Sequence, residues 1–564
     1  MTYRAPLDDI AFTLDHLVGA DFLTGTERFA EATRDTRNAV LAEAAKVAED
    51  ALAPVQRNGD LHPAKLEDGV VRTSPGYKDG FRALAEGGWI GIAADPEHGG
   101  MGLPLTLGTA VNEMMSSACL ALSLCPLMSQ GQIEALEHHA SDEIKALYLP
   151  KLISGTWTGT MNLTEPQAGS DVGALRSKAE RNGDGTYSIT GQKIYISWGD
   201  NDFAENVCHL VLARLPDGVR GTKGISLFIV PKLIPDADGK PGEANSLHVV
   251  SLERKLGLHG SPTAVMQYDG ATGWLIGEEH NGMAAMFTMM NNARLGVGVE
   301  GLGVAEAATQ KALAYAMDRK QGKTPTGAAG IIDHADVRRM LMTMKALTAV
   351  SRAICLDTAV SLDMANATEG AERDYWKARG ALLTPIAKAF STDIGFEVAS
   401  MGVQVHGGMG FIEETGAAQL MRDVRVTSIY EGTNGIQSMD LVGRKLMDGG
   451  VAARAMLKDV GKAASGPHAD AVRAAREEVA EATEWMLRVN DINDRFAGSV
   501  PYLRAWATLL GAHYLNKAAE IDPNRAGLAD FYMAHIAPQI TALVSAATSG
   551  STPLYALDAE RLAG

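Results

Sequence analysis

Gly191-Gln192-Lys193-Ile194-Tyr195-Ile196-Ser197-Trp198-Gly199 reads as a strand bounded by glycines. Side chains alternate along a strand, so Tyr195 and Ser197 fall on one face. The stretch lies in a region, from about residue 158 to 276, of short apolar or alternating runs: 187–190, 194–198, 207–213, 225–230 and 263–268. Gly, Asp, Asn and Pro separate them, as in Asn182-Gly183-Asp184-Gly185, and no helical pattern intervenes. Such spacing predicts an antiparallel sandwich or barrel.

On both sides of this region the periodicity is helical. Residues 29–52 are rich in Ala, Glu and Val at near-helical spacing, and 79–86 begin a short amphipathic piece. Gly99-Gly100-Met101-Gly102-Leu103-Pro104 breaks the chain before 105–127, which lacks a polar face and is expected to be buried. After the β region, 283–317, 334–364 and 375–401 are long enough to pack as a bundle, with a Gly-, Thr- and Pro-rich loop at 321–330. A further helix begins after Gly432. Beyond Asp448-Gly449-Gly450 come Ala-rich helices such as 469–489 and 502–521, which suit packing or dimer contacts better than chemistry. The fold class expected is α+β. It comprises a helical N-terminal domain (1–157), a middle antiparallel β domain (158–278), a helical bundle (279–448) and an accessory helical C-terminal domain (449–564). A chain of 564 residues is too long for one core.

A net charge of −17 argues against a general nucleic-acid surface, and an anionic small molecule would need local Arg or Lys. Cys119, Cys125, Cys208 and Cys355 lack metal-ligand spacing and are too scattered for a disulfide framework, so no metal and a reduced, cytoplasmic setting are expected. The N-terminus is acidic where a signal peptide would be basic, and no apolar run approaches the length of a bilayer span.

Two further stretches bear on chemistry, and a third only has the form of a motif. Ile429-Tyr430-Glu431-Gly432-Thr433-Asn434-Gly435-Ile436-Gln437 sets a carboxylate beside a glycine and a hydroxyl, between helical segments. Deprived of water, such a carboxylate is raised toward neutrality and suits removal of a proton; the alternative is a helix-capping turn. Leu163-Thr164-Glu165-Pro166-Gln167-Ala168-Gly169-Ser170-Asp171-Val172-Gly173 is a polar loop suited to a flat heteroaromatic ring with an anionic tail. Gly296-Val297-Gly298-Val299-Glu300-Gly301 satisfies GxGxxG literally, but no strand precedes it, and its small residues suit close helix packing instead.

The stretches at 163–173, 191–199 and 430–434, together with Lys255-Leu256-Gly257-Leu258-His259-Gly260-Ser261-Pro262-Thr263 and Gln404-Val405-His406-Gly407-Gly408-Met409-Gly410-Phe411, resemble the acyl-CoA dehydrogenase flavoprotein family. The signals keep the family's order over roughly residues 80–445, and the extra length at both ends resembles the larger bacterial branch that includes enzymes for 3-methylthiopropanoyl-CoA. The resemblance implies FAD, contacted by Thr164, Gly169 and Ser170, flanked by Tyr195 and hydrogen-bonded by Ser197. Arg319 and Gln321, commonly from across a subunit interface, and Gln404, Gly407, Gly408 and Thr433 are further implied FAD contacts.

Glu431 matches the family's base, which takes the acyl α-proton while the β hydrogen leaves as hydride to flavin, giving a trans-2-enoyl-CoA. The family polarises the thioester carbonyl with the base residue's N–H and a flavin hydroxyl. Ser170, Arg294, Glu431 and Gly432 are the implied substrate contacts, and Arg294 reads equally as an ion pair on the surface or between helices. Some relatives carry the base just before an arginine on an earlier helix; the pair here is Ala293-Arg294, and alanine accepts no proton. The resemblance further implies an electron-transferring flavoprotein as acceptor, a homodimer, and a place in fatty-acid β-oxidation. Candidate substrates are 3-methylthiopropanoyl-CoA and medium- or long-chain acyl-CoA. An acyl-CoA oxidase and a noncatalytic CoA-binding scaffold are the alternatives. The segment Asp318-Arg319-Lys320-Gln321-Gly322-Lys323 departs from the family by lacking an aromatic, and His406 reads as packing or backbone support.

Overall fold

The computed structural model describes residues 3–325, 327 and 330–564; Met1, Thr2 and, within the loop 321–330, Thr326, Ala328 and Ala329 lie outside the described residues. The chain divides into two units, one built on Ala42–Ala293 and the other on Pro6–Leu41 with Arg294–Gly564.

The first unit carries a seven-stranded sheet. Its order is Leu247–Leu252, Thr263–Ile276, Tyr187–Ser197, Lys178–Arg181, Asn206–Arg214 and Trp157–Asn162. Ile225–Pro231 pairs with both Asn206–Arg214 and Thr263–Ile276, closing the strands into a ring as a barrel requires. Ile189, Ile196, Val211, Phe228, Met266 and Tyr268 fill its core. The sheet is not antiparallel throughout, as the sequence had suggested: Trp157–Asn162 runs parallel to Asn206–Arg214, and Lys178–Arg181 meets that strand in parallel. The long connection between the first two, with strands of its own, is the crossover a parallel pair needs.

Strict alternation also fails in Tyr187–Ser197. Lys193 pairs with Met266 and Ile196 with Ala264, so Ile194 and Tyr195 together oppose Val265. This β-bulge buries Lys193 and Ile196 alike and leaves Tyr195 at φ 61°, 61% exposed. Tyr195 and Ser197 both stand off the core face, but the bulge rather than simple alternation puts them there.

The helix Leu105–His139 runs beyond the expected end at 127, and buried Ile133, Ala135 and Leu136 carry its apolar face onward. Cys119 is extended (φ −157°, ψ 86°), so two helices meet there at a kink. This helix corrects the expectation that no apolar run approaches a bilayer's thickness: by length and composition it is able to cross one, although 89% of its most apolar window is buried in the protein.

In the second unit, Ala335–Ala367 and Gly370–His406 pack side by side, with the 294–318 part of the helix Gly282–Asp318 against them. A Cβ on Gly298 would lie 2.9 Å from the Ala387 carbonyl oxygen, and one on Gly301 would collide with that of Ser391. The small residues of the GxGxxG stretch thus serve close helix packing. The accessory helices Ala469–Arg488 and Ser499–Ile521 follow. Tyr514 donates to the buried Asp357 carboxylate, which also accepts from Arg379 at 2.7 Å, tying the last hundred residues to the bundle.

Candidate active site

The segment around Glu431 joins the 3₁₀ turn Arg425–Ser428 to the helix Asn434–Asp440. Thr433 is that helix's N-cap, its hydroxyl accepting from the Ile436 N–H at 3.2 Å. Capping therefore falls to Thr433 and leaves the Glu431 carboxylate for other work. Glu431 sits at φ 55° and Gly432 at φ 85°. A Cβ on Gly432 would lie 2.7 Å from Gln437 Nε2, so conformation and space both call for glycine.

Holding a non-glycine residue at positive φ costs on the order of 1–3 kcal/mol, which neighbouring bonds must offset. Gln437 Nε2 donates to the Glu431 and Gly432 carbonyls at 3.2 and 3.4 Å. Lys388 Nζ donates to the Gly432 carbonyl and to Asn434 Oδ1, each at 2.9 Å. Asn434 Nδ2 donates to Asp393 Oδ1 at 2.7 Å. The turn is thereby pinned to the helix Gly370–His406. Among the described residues the Glu431 N–H has no hydrogen-bond acceptor, leaving it available to an external oxygen.

Burial pushes the Glu431 carboxyl up to about 7, against Arg294 and Lys388, which favour its charge. A base with that value is half ionised near neutrality, where proton abstraction is most effective. Lys388 is fully buried; burial brings it down to about 8, opposed by Glu300, Glu431 and Asp393. Arg294, 7% exposed, is pulled below its ordinary value by burial while Asp440 and Glu431 oppose the shift. It is therefore no surface ion pair. Glu300, 1% exposed, accepts from the Tyr430 hydroxyl and is pushed up to about 8 by burial.

In the other unit the loop at 163–173 is organised by Glu165, buried beneath it. Its carboxylate accepts from Lys193 Nζ at 2.8 Å, the Arg176 N–H at 2.7 Å, the Ser177 N–H at 3.0 Å and Gln167 Nε2 at 2.6 Å. Burial raises this carboxyl, but Lys193 and these donors outweigh it and bring Glu165 to about 2. Lys193 is lowered to about 8 by its own burial. The Thr164 carbonyl accepts from the Ile194 N–H at 2.9 Å, joining loop to bulged strand. Above this base Gly169 and Ser170 are exposed, and nothing lies within 4 Å of where a Gly169 Cβ would be. Open backbone, hydroxyls at Thr164, Ser170 and Ser197, and the exposed ring of Tyr195 form a donor set that fits a flavin with a phosphate tail.

The remaining sequence-derived residues lie in the second unit. Gln404, Gly407 and Gly408 are exposed at the end of Gly370–His406, where Gly407 takes φ 59°. Arg319 and Gln321 are exposed, with Arg319 Nη2 donating to Gln321 Oε1 at 3.4 Å. His406 donates through Nδ1 to the Gly402 carbonyl at 2.6 Å and stacks on Tyr315 at 4.4 Å, the supporting part its setting suggested. Both rings line an open cleft of about 630 Å³ with Lys311, Asp318 and Thr415. Asp217, Glu279 and His280 offer ligand atoms within 4.8 Å of one another, but Arg181 already bonds both carboxylates, at 3.2 and 2.8 Å.

Sequence reading missed Glu165, Lys193, Glu300 and Lys388. Lys388 and Glu300 are charged residues isolated among apolar or small ones, Ala387-Lys388-Ala389 and Val299-Glu300-Gly301, and that isolation was the available signal; Glu165 and Lys193 stand beside other polar residues and carried no such mark.

Residues 34–156, 160–271 and 280–447 match the N-terminal, middle and C-terminal domains of acyl-CoA dehydrogenase, and 451–558 match a domain described as acetyl-CoA dehydrogenase C-terminal like. The chain is 44% identical over 556 residues to 3-methylmercaptopropionyl-CoA dehydrogenase of Ruegeria pomeroyi, covering 95% of each. It is 35% identical to the broad-specificity linear acyl-CoA dehydrogenase FadE5 of Mycobacterium tuberculosis, over 80% of this chain and 76% of that protein. The structure of Caenorhabditis elegans ACDH-11 in complex with C11-CoA matches with a TM-score of 0.80 at 21% identity, covering 96% of this chain and 91% of that one, a likeness of fold alone.

Proposed function

This chain belongs to the acyl-CoA dehydrogenase family, and we propose that Glu431 is the base with which it converts an acyl-CoA thioester to a trans-2-enoyl-CoA. The observation that carries the reading is the Glu431 carboxyl, held near 7 by burial on a strained, pinned turn beside Arg294 and Lys388. Glu431 removes the α-proton at its carboxylate. Its N–H, which has no acceptor among the described residues, polarises the thioester carbonyl so that the α-carbon gives up that proton. FAD, the cofactor of the family, supplies the hydride acceptor for the β hydrogen. Thr164, Gly169, Ser170, Tyr195, Ser197, Arg319, Gln321, Gln404, Gly407, Gly408 and Thr433 hold it, and Ser170, Arg294 and Gly432 contact the substrate.

The substrate we favour is 3-methylmercaptopropionyl-CoA, the thioester named for the Ruegeria pomeroyi relative that matches nearly the whole chain. The electron acceptor is an electron-transferring flavoprotein, the enzyme a cytoplasmic homodimer. Anaerobic titration of the flavin absorbance with methylthio, short, long, branched and aryl acyl-CoAs tests activity and substrate together. Bleaching by the methylthio thioester at the lowest concentration is the expected result; bleaching by none would refute the dehydrogenase reading. Peroxide release in air equal to turnover would make the enzyme an oxidase.

A further inference from the structure

Glu300 lies behind the base, on a part of the helix flanked by Gly298 and Gly301, where the missing side chains let the helix Gly370–His406 come close. That approach leaves Glu300 only 1% exposed. One carboxyl oxygen accepts from the hydroxyl of Tyr430, the residue before Glu431; the other, Oε1, has no hydrogen-bond partner among the described residues. A desolvated anion with an unpaired oxygen is far costlier than a neutral acid with one unmet polar group. Lys388 on the facing helix and Glu431 on the turn are the charged groups that act on it; Asp393, also on the facing helix, and Arg294, on the same helix as Glu300, act on Lys388. We propose that Glu300 is a positioning residue of this site, a neutral carboxylic acid that anchors Tyr430 and leaves Lys388 to act on Glu431 without a competing charge from Glu300. Burial, which pushes Glu300 up to about 8 against about 7 for Glu431, agrees with that order of ionisation. The assignment rests on Glu431 as the base.

The test is infrared titration of the holoenzyme from about pH 6 to about pH 9, following the C=O stretch of protonated carboxyl groups, which lysine does not contribute. Glu134, in the other unit, is also pushed up to about 7, so signals are assigned by difference between variants. Glu300→Gln is expected to remove a protonated-carboxyl band present at neutral pH, and Glu431→Gln to remove a different one lost at lower pH. An unchanged neutral-pH band in Glu300→Gln would overturn the proposal. Flavin bleaching adds a functional arm. The glutamine amide is neutral and still accepts from Tyr430, so Glu300→Gln is expected to bleach at least about ten-fold faster than Glu300→Ala. Equal rates would also overturn it. If neither Glu300 variant folds, Tyr430→Phe decides: loss of the hydroxyl that favours ionised Glu300 moves its titration to higher pH, and an unmoved titration refutes the role. Wild-type bleaching by Glu431→Gln would remove the base assignment while leaving the infrared result to judge Glu300 by itself.

Discussion

Replacing Lys388 by methionine removes one of the two cations that favour the ionised form of Glu431. Lys388 sits at about 8, so at pH 7 it is mostly charged and acts on the base. A nearby opposite charge lowers a carboxyl by about 1–3 units, so its loss is expected to move Glu431 from about 7 to about 8 at least. At pH 7 the ionised fraction then falls from about one half to about one tenth, a roughly five-fold slower bleaching of flavin by acyl-CoA. At about pH 9 the variant is expected to recover to within roughly a tenth of the wild-type rate. The Gly432 carbonyl and Asn434 Oδ1 also lose a donor, at a cost of about 2–3 kcal/mol in stability. Anaerobic stopped-flow measurement across the pH range reads both ends. A midpoint that does not move, or a loss as large at high pH as at neutrality, would refute the electrostatic coupling.

Two further substitutions probe the supporting structure. Glu165→Gln leaves Lys193 buried without its ionic partner and is expected to cost about 3–5 kcal/mol, read by chemical denaturation. Because folding depresses Glu165 from 4.5 to about 2, its stabilisation is complete above 4.5 and fades as pH falls through 2, so wild type and variant should converge in acid; a gap constant with pH would exclude the ion pair as its source. Gly432→Ala meets Gln437 Nε2 at positive φ, and a loss of about 1–3 kcal/mol with slowed bleaching is expected; an unaltered melting curve would show that the turn is not constrained as described.

The helical flanks, the β middle and the turn at Glu431 were legible because they rest on local signals: periodicity, glycine breaks and short motifs. The parallel pairing of Trp157–Asn162 with Asn206–Arg214 was not, since a long crossover leaves no local mark. The bulge at Ile194-Tyr195 was hidden for a related reason: it appears only when the register with Val265 is known. The kinked helix Leu105–His139 was expected to end at 127, where the apolar pattern gives way to Ser129, Gln130 and Gln132, whereas the burial that carries it onward is a tertiary property. Around the base, Glu431 and Arg294 stood in recognisable sequence, but Lys388 and Glu300 act through the approach of helices far apart in the chain. Their charges gain meaning only from burial, which a single sequence does not display.

The most direct measurement is anaerobic mixing of Glu431→Gln holoenzyme with acyl-CoA, followed by flavin absorbance and by equilibrium binding. The amide has nearly the same volume but cannot take a proton, so FAD and thioester are expected to bind while bleaching is almost abolished. Bleaching at the wild-type rate would contradict the assignment of Glu431 as the base.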